Sequence, residues 1–444
     1  MGFITSYSDY FRVGQRTAAP KARSYLSGLL MKAPRKNMER MEEYVSEYDY
    51  QGQQQFLTDS PWDHRAVVEQ VGRDVDAILG GSESGLLIDE TAFEKKGTKS
   101  VGVARQWNGR LGKVDNCQVG VFAGLSDGAH VGLVDFRLYL PESWCGDPER
   151  CDGAKIPRDE RQHKSKAEFA LEMMDGAADN GLRFGWVGLD GGYGKTPWLL
   201  RAIEDRGLVF VADVHRTQVV YAEDPRPYLP RRRSGRGRKF SKRRPRVQGV
   251  KIQELFKSFS AQRWKKIAIR HSTKGLIKVV ACGQRVWLWD GEEKKARSWW
   301  AVCYKHPSTG ETKWFLSNSP ETVQLKELVR MHAVRFWVER SFQDAKTSVG
   351  MGDYQARGWR SWHHHMAMVL MALLFLLTER CVHRIDMPLL SCTDIVELLN
   401  LYLPRADLNE EAVFRSLRRR HEKRRKAIES AYRVTGSPDP EIPI

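Results

Sequence analysis

The hydrophobic pattern changes period several times along the chain, and each change predicts an element. Leu86-Leu87-Ile88 is a short apolar run that ends in Asp89, the pattern of a buried strand with a carboxylate at its end. Lys95-Lys96-Gly97 and Ser100 to Gln106 then give a loop with a short extra strand. Gln118 to Leu125 predicts a strand, Ser126-Asp127-Gly128 a turn, and Val131 to Leu140 the returning strand. Lys164 to Asn180 is helical, with Ala167, Phe169, Ala170, Leu171 and Met174 among its apolar positions. Phe184 to Asp190 is a further strand that again ends in acid. Thr196-Pro197 opens a helix to Arg206, with Pro just inside it, and Leu208 to Val214 is a strand. Leaving out the short extra strand, the order is β-β-β-α-β-α-β, with Asp on the first and fourth strands.

The flanks read differently. Residues 1–79 form a helical N-terminal domain: Tyr25 to Leu30 and Met38 to Tyr48 have helical spacing, and Ser60-Pro61-Trp62-Asp63 looks like a helix start. Gly80 to Gly85 is a linker-like break. Beyond residues 80–215, which hold the β-β-β-α-β-α-β order, residues 216–320 read as a strand-rich insertion. Its strands are expected at Lys265–Arg270, Leu276–Cys282, Val286–Asp290, Trp299–Tyr304 and Thr312–Ser317. Residues 321–400 return to helix, and 401–444 form a basic tail. His332 to Lys346 contains neither Pro nor Gly and reads as one helix. Trp359 to Thr378 is strongly apolar apart from His363-His364-His365. Neighbours on a helix point about 100° apart, so those three imidazoles cannot share one metal.

Charge narrows the function. The 444 residues hold 72 Lys and Arg against 55 Asp and Glu, a formal charge of +17, which points to a polyanionic partner. No amphipathic membrane anchor or signal peptide is visible, and the longest apolar run, Met366 to Leu377, is too short to cross a bilayer. The 7 cysteines are scattered with no C-x2-C pair, so neither a zinc ribbon nor a disulfide framework is indicated. A reducing cytoplasm fits. Two basic runs stand out. One, from Arg231 to Arg246, includes Arg231, Arg232, Arg233, Arg243 and Arg244 and holds no acid; the other is Arg418 to Lys426. Each suits phosphate contact, with a solvated segment as the alternative.

On the His332–Lys346 helix, a rotation of about 100° per residue places His332, Arg335, Glu339, Gln343 and Lys346 on one stripe. Two readings stand. A carboxylate framed by cations can hold a divalent ion beside phosphate oxygens. The same stripe can be a solvated face with Arg335–Glu339 as an ordinary i,i+4 pair.

The spacing Arg335-x3-Glu339-x6-Lys346 resembles the Y-x2-R-x3-E-x6-K signature of bacterial DDE insertion-sequence transposases, with His332 where that family has Tyr. The resemblance implies an α/β protein with an RNase H-like catalytic core, a β-rich insertion and a helical N-terminal domain. The strand order above is the order of that core. It implies Asp89, Asp190 and Glu339 as catalytic metal ligands for two Mg²⁺ ions, with Mn²⁺ able to substitute. His332, Arg335 and Lys346 would contact DNA phosphates. The implied partners are terminal inverted repeats and target DNA, with possible self-association on DNA and no membrane, in the bacterial cytoplasm with the nucleoid. The implied reaction is cutting at element ends and joining to target DNA, through a hairpin on the element end. A flipped base beside a hairpin needs an aromatic platform, and Trp264 within Arg263-Trp264-Lys265-Lys266 is the candidate, with core packing as its alternative. Two other functions compete: an RNase H-like nuclease on branched or hybrid nucleic acid, and a catalytically idle DNA-binding descendant. Gly191-Gly192-Tyr193-Gly194-Lys195-Thr196 misses the phosphate-loop motif, because Leu189 stands where its first Gly belongs.

Overall fold

The computed structural model describes residues 2–46, 48–230, 240–272, 275–406 and 409–435. Arg231, Arg232 and Arg233 of the basic run lie outside the described residues.

Ten strands form one mixed sheet. In chain order they are β1 (Gly85–Glu94), β2 (Ala104–Asn108), β3 (Lys113–Ser126), β4 (Val131–Leu138), β5 (Trp186–Leu189), β6 (Val209–Asp213), β7 (Lys265–Ser272), β8 (Gly275–Leu288), β9 (Arg297–Lys305) and β10 (Thr312–Ser317). Across the sheet the order is β7-β8-β9-β10-β6-β5-β1-β3, and both β2 and β4 pair with β3. Only β1 with β5 and β5 with β6 run parallel. The parallel centre is buried on both faces, which is why Leu86-Leu87-Ile88 and Trp186 to Leu189 read as continuous apolar runs.

Three details differ from the pattern reading. β1 does not stop at Asp89. Its parallel pairing with β5 ends at Ile88, but β3 keeps pairing with it as far as Glu94 opposite Cys117. Leu276–Cys282 and Val286–Asp290 are parts of one long strand, β8, because Gly283-Gln284-Arg285 stays extended opposite β9. A Cβ on Gly283 would lie 3.0 Å from Leu325 Cδ1, so the glycine lets the following helix approach the strand. Finally, the strands between 216 and 320 do not close on themselves. Phe315, Leu316 and Ser317 of β10 pair antiparallel with Asp213, Ala212 and Val211 of β6, so those strands prolong the central sheet.

The main helices are α1 (Ala19–Leu30), α2 (Tyr50–Thr58), α3 (His64–Leu79), α4 (Lys166–Asp179), α5 (Pro197–Asp205), α6 (Leu325–Val334), α7 (Phe336–Ser348), α8 (Trp359–Val382), α9 (Cys392–Tyr402) and α10 (Glu410–Thr435). Asp63 caps α3 by accepting from Arg65 N, and Val67, Val68, Val71, Val75 and Leu79 form its buried stripe. Ser165 and Glu168 close a capping box on α4.

α8 is longer than its apolar run and meets the length and composition of a membrane-crossing helix. Most of it is nonetheless buried, against α1, α2, α3 and β4. Its histidines are core residues. His364 Nδ1 lies 3.0 Å from Leu57 O and Nε2 3.1 Å from Trp62 O, so its single N–H donates to one of these carbonyls, and His365 Nδ1 lies 2.8 Å from Tyr25 Oη. Burial pulls the pKa of His364 and of His365 down to about 3, so both are neutral. These contacts fasten the N-terminal helices to the core.

Candidate active site

The sheet register builds the site. Ile88 is opposite Leu189, and Leu189 is opposite Ala212. The next residue on each chain is an aspartate: Asp89, Asp190 and Asp213. Three acidic residues therefore follow one level of the sheet, at the ends of parallel pairings between strands about 4.8 Å apart.

Each carboxylate is held differently. Asp89 is buried and accepts from Glu90 N at 2.7 Å. Burial and the charge of Asp190 push its pKa up to about 7; Arg335 opposes the shift and Glu339 adds to it. Asp190 caps a single helical turn, Gly191–Gly194, accepting from Gly192 N (2.8 Å) and Tyr193 N (3.2 Å). A Cβ on Gly194 would fall 1.8 Å from the Asp213 carbonyl oxygen, so this turn needs glycine to pass β6. Asp213 accepts from His332 Nε2 and from Arg335 Nη1. Despite burial, its pairing with His332 and Arg335 holds its carboxyl well below the usual carboxylate range.

The expected single helix from His332 to Lys346 is two helices. It breaks at Arg335, which has helical angles (φ −55°, ψ −27°) but whose N–H bonds His332 O in a tighter turn. The break turns His332 and Arg335 into β6, where both are buried on Asp213. Neither side chain faces solvent. Glu339 sits in the first turn of α7 and is exposed. Lys346 is half-buried and donates to Thr91 Oγ1 (2.7 Å) and Ala92 O (3.1 Å) of β1. Burial, helped by the charge of Arg110, pulls its pKa down to about 8.

Four residues escaped the sequence reading. Tyr304 of β9 places its hydroxyl 3.0 Å from His332 Nδ1. Gly188 leaves room for Arg335, whose Cγ would lie 3.3 Å from a Cβ there. Tyr193 is buried near Glu90, Asp190 and Asp89, and its phenol is held well above the usual range. Asp213 is the fourth. It follows an apolar run just as Asp89 and Asp190 do, and that signal was open to view.

Trp264 is half-buried against the core, with the Lys305 ammonium 4.6 Å from its ring centre and Phe256 at 6.5 Å. Arg244 is part of a backbone bridge to Tyr228, and its guanidinium lies 5.8 Å from the Phe240 ring; Arg243 lies beside it.

A mixed sheet with acids at one level on neighbouring strands, in a strongly basic chain, is the arrangement of an enzyme acting on phosphodiesters. Residues 9–276 match the family described as DDE superfamily endonuclease, and the chain belongs to that family. The matched region includes Asp89, Asp190 and Asp213 and ends before Glu339. The chain is also similar to a protein of Microchaete diplosiphon described as a probable transposase for insertion sequence element IS701. The two are 22% identical over 363 residues, covering 80% of this chain and 81% of that protein.

Proposed function

We propose that this DDE endonuclease is a DNA transposase that cuts the ends of an insertion sequence and joins them to target DNA. The observation that carries the reading is the register of Asp89 beside Asp190, with Glu339 close enough to disfavour ionisation of Asp89. The strand order β4-β3-β1-β5-β6, antiparallel then parallel, supports an RNase H-like core.

Asp89, Asp190 and Glu339 would hold the divalent metal. Among the described residues no three Asp, Glu, His or Cys side chains enclose a point where an ion would sit. An open set of hard oxygen donors still suits Mg²⁺, or Mn²⁺ in its place, because Mg²⁺ usually takes one or two carboxylates and completes its shell with water and substrate phosphate. Two buried donors, Arg335 Nε and Tyr193 Oη, have no hydrogen-bond partner among the described residues, which suits a polar substrate group. Bound metal supplies an activated attacking oxygen and a stabilised leaving oxygen.

The protein's own groups then do the following. The three carboxylates would hold the metal beside the scissile phosphate. Arg335, anchored on Asp213 beside His332, keeps positive charge near them. Lys346 offers its ammonium to a phosphate near β1. The basic run that includes Arg231, Arg232, Arg233, Arg243 and Arg244 adds non-specific phosphate contacts. Trp264 holds a flipped base while the element end closes into a hairpin. The protein acts on terminal inverted repeats and target DNA, self-associating on the DNA, in the bacterial cytoplasm with the nucleoid.

The deciding experiment incubates the protein with the element's own ends, a target plasmid and Mg²⁺ or Mn²⁺. Nicking, a hairpin and joined product are expected. Nicking with no joining would favour an RNase H-like nuclease, and no nicking would favour a catalytically idle DNA-binding descendant.

A further inference from the structure

A wide cleft of about 1260 Å³ opens between the N-terminal helices, the loop after β1 and the segment before α8. Its volume exceeds the range of about 300–1,000 Å³ usual for a small-molecule site. Its walls carry seven Lys and Arg side chains and two carboxylates. One carboxylate, Glu94, is already paired with Arg110, and the other, Asp353, accepts from Lys36 N at 2.8 Å. Arg35, Lys96 and Arg357 are exposed, with no carboxylate within ion-pair distance among the described residues. Lys95 lies over the Tyr354 ring, 3.6 Å from its centre, which fixes an ammonium at the cleft wall.

The cleft's position gives this charge a direction. β1 runs from Asp89, past Thr91 and Ala92 where Lys346 is bonded, to Glu94 and then to Lys95 and Lys96. Five strand residues cover about 17 Å. DNA advances about 3.4 Å per base pair, so the cleft lies about five base pairs from Asp89.

We propose that this cleft binds the DNA backbone flanking the scissile phosphate, about five base pairs from the cut, with Arg35, Lys96 and Arg357 as its mobile cations and Lys95 as its fixed one. The idea rests on the transposase reading for its ligand, and names a part of the substrate track that lies apart from the three acids.

The test is the triple variant Arg35→Gln, Lys96→Gln, Arg357→Gln in the full chain. Binding of a labelled duplex carrying the element's end is titrated across salt. Each lost phosphate contact should flatten the log–log salt slope by about 0.9, so a decrease of two to three units is expected. Because the three side chains are exposed, thermal unfolding should be unchanged. A photo-crosslinker at position 96 should mark nucleotides about five base pairs from the cut. An unchanged slope, a crosslink confined to remote positions, or equal competition by inorganic phosphate would each overturn the proposal. The two readings fail separately. A flattened slope in a protein that never nicks DNA keeps the cleft and removes the transposase; normal strand transfer with an unchanged slope does the reverse.

Discussion

Asp213, half-buried, and Arg335, buried, form an ion pair beside the candidate catalytic acids, and the same carboxylate also accepts from His332. Phe315 stacks on the His332 ring (centres 4.4 Å apart, 19° between planes) and Tyr304 bonds its other nitrogen. β9 and β10 therefore buttress the candidate site through His332. Arg335 is bonded to Asp213, and the charges of Asp89, Asp190 and Glu339 also favour its cationic form.

Asp213→Asn should destabilise the fold by about 3 kcal/mol at neutral pH, because it takes from a buried guanidinium the one carboxylate bonded to it among the described residues. The pH dependence has a definite sign. Asp213 has a lower pKa folded than unfolded, so its stabilisation is fully present above an unfolded value near ~4 and is lost as pH falls through the folded value. Denaturant unfolding at several pH values should show a smaller acid-induced loss in the variant than in the wild type. Equal losses would mean the pair does not act through charge.

Asp89→Asn, Asp190→Asn and Glu339→Gln should each reduce cleavage by more than about 100-fold, beyond the cost of losing an outer metal-site partner. Binding of element ends should persist. Chelation by EDTA should give the same result in the wild type. Asp344→Asn should still cleave, because Asp344 is turned away into a 3.1 Å ion pair with Arg340. Gel assays of nicking and of end binding separate the two effects, and a fully active Glu339→Gln protein would remove Glu339 from the site.

Gly188→Ala should impair activity more than folding. The new Cβ would meet Leu87 Cδ2 at 2.7 Å and Arg335 Cγ at 3.3 Å. Overpacking of this kind costs about 1–3 kcal/mol and shifts neighbours. The expected outcome is a stable protein with a reduced cleavage rate, read by thermal unfolding beside single-turnover nicking.

Trp264→Ala should leave nicking of intact ends in place and slow hairpin formation on pre-nicked ends by about tenfold, from the loss of one base–ring stack. Lys305 should then be needed too, since its ammonium lies over the same ring. Equal loss of both steps would make Trp264 a packing residue.

Lys36→Met should cost about 1–3 kcal/mol. The buried ammonium donates to Leu29 O at 2.7 Å and to Ser348 O, tying the end of α1 to the end of α7. Removing it leaves two carbonyls without that donor. Denaturant titration measures the loss, and a neutral result would show that water replaces the ammonium.

By itself the sequence determined what is local. Apolar runs at Leu86–Ile88 and Trp186–Leu189, each followed by Asp, encode buried strands with acids after them, because side-chain burial sets the hydrophobic pattern. The charge of +17 restricts the partner, because it is a sum over residues and needs no coordinates. The R-x3-E-x6-K spacing was legible for the same reason, being fixed within one segment. Only the tertiary structure decided what depends on distant segments meeting. Register across two parallel pairings put Asp213 level with Asp89 and Asp190, and no run of residues encodes that alignment. The tight turn at Arg335 swung His332 and Arg335 into β6, although the segment has neither Pro nor Gly to announce it. Lys95 became a cleft cation only because Tyr354, far along the chain, folds beneath it. Local periodicity fixes which face of an element is apolar; which element that face meets depends on packing over the whole chain.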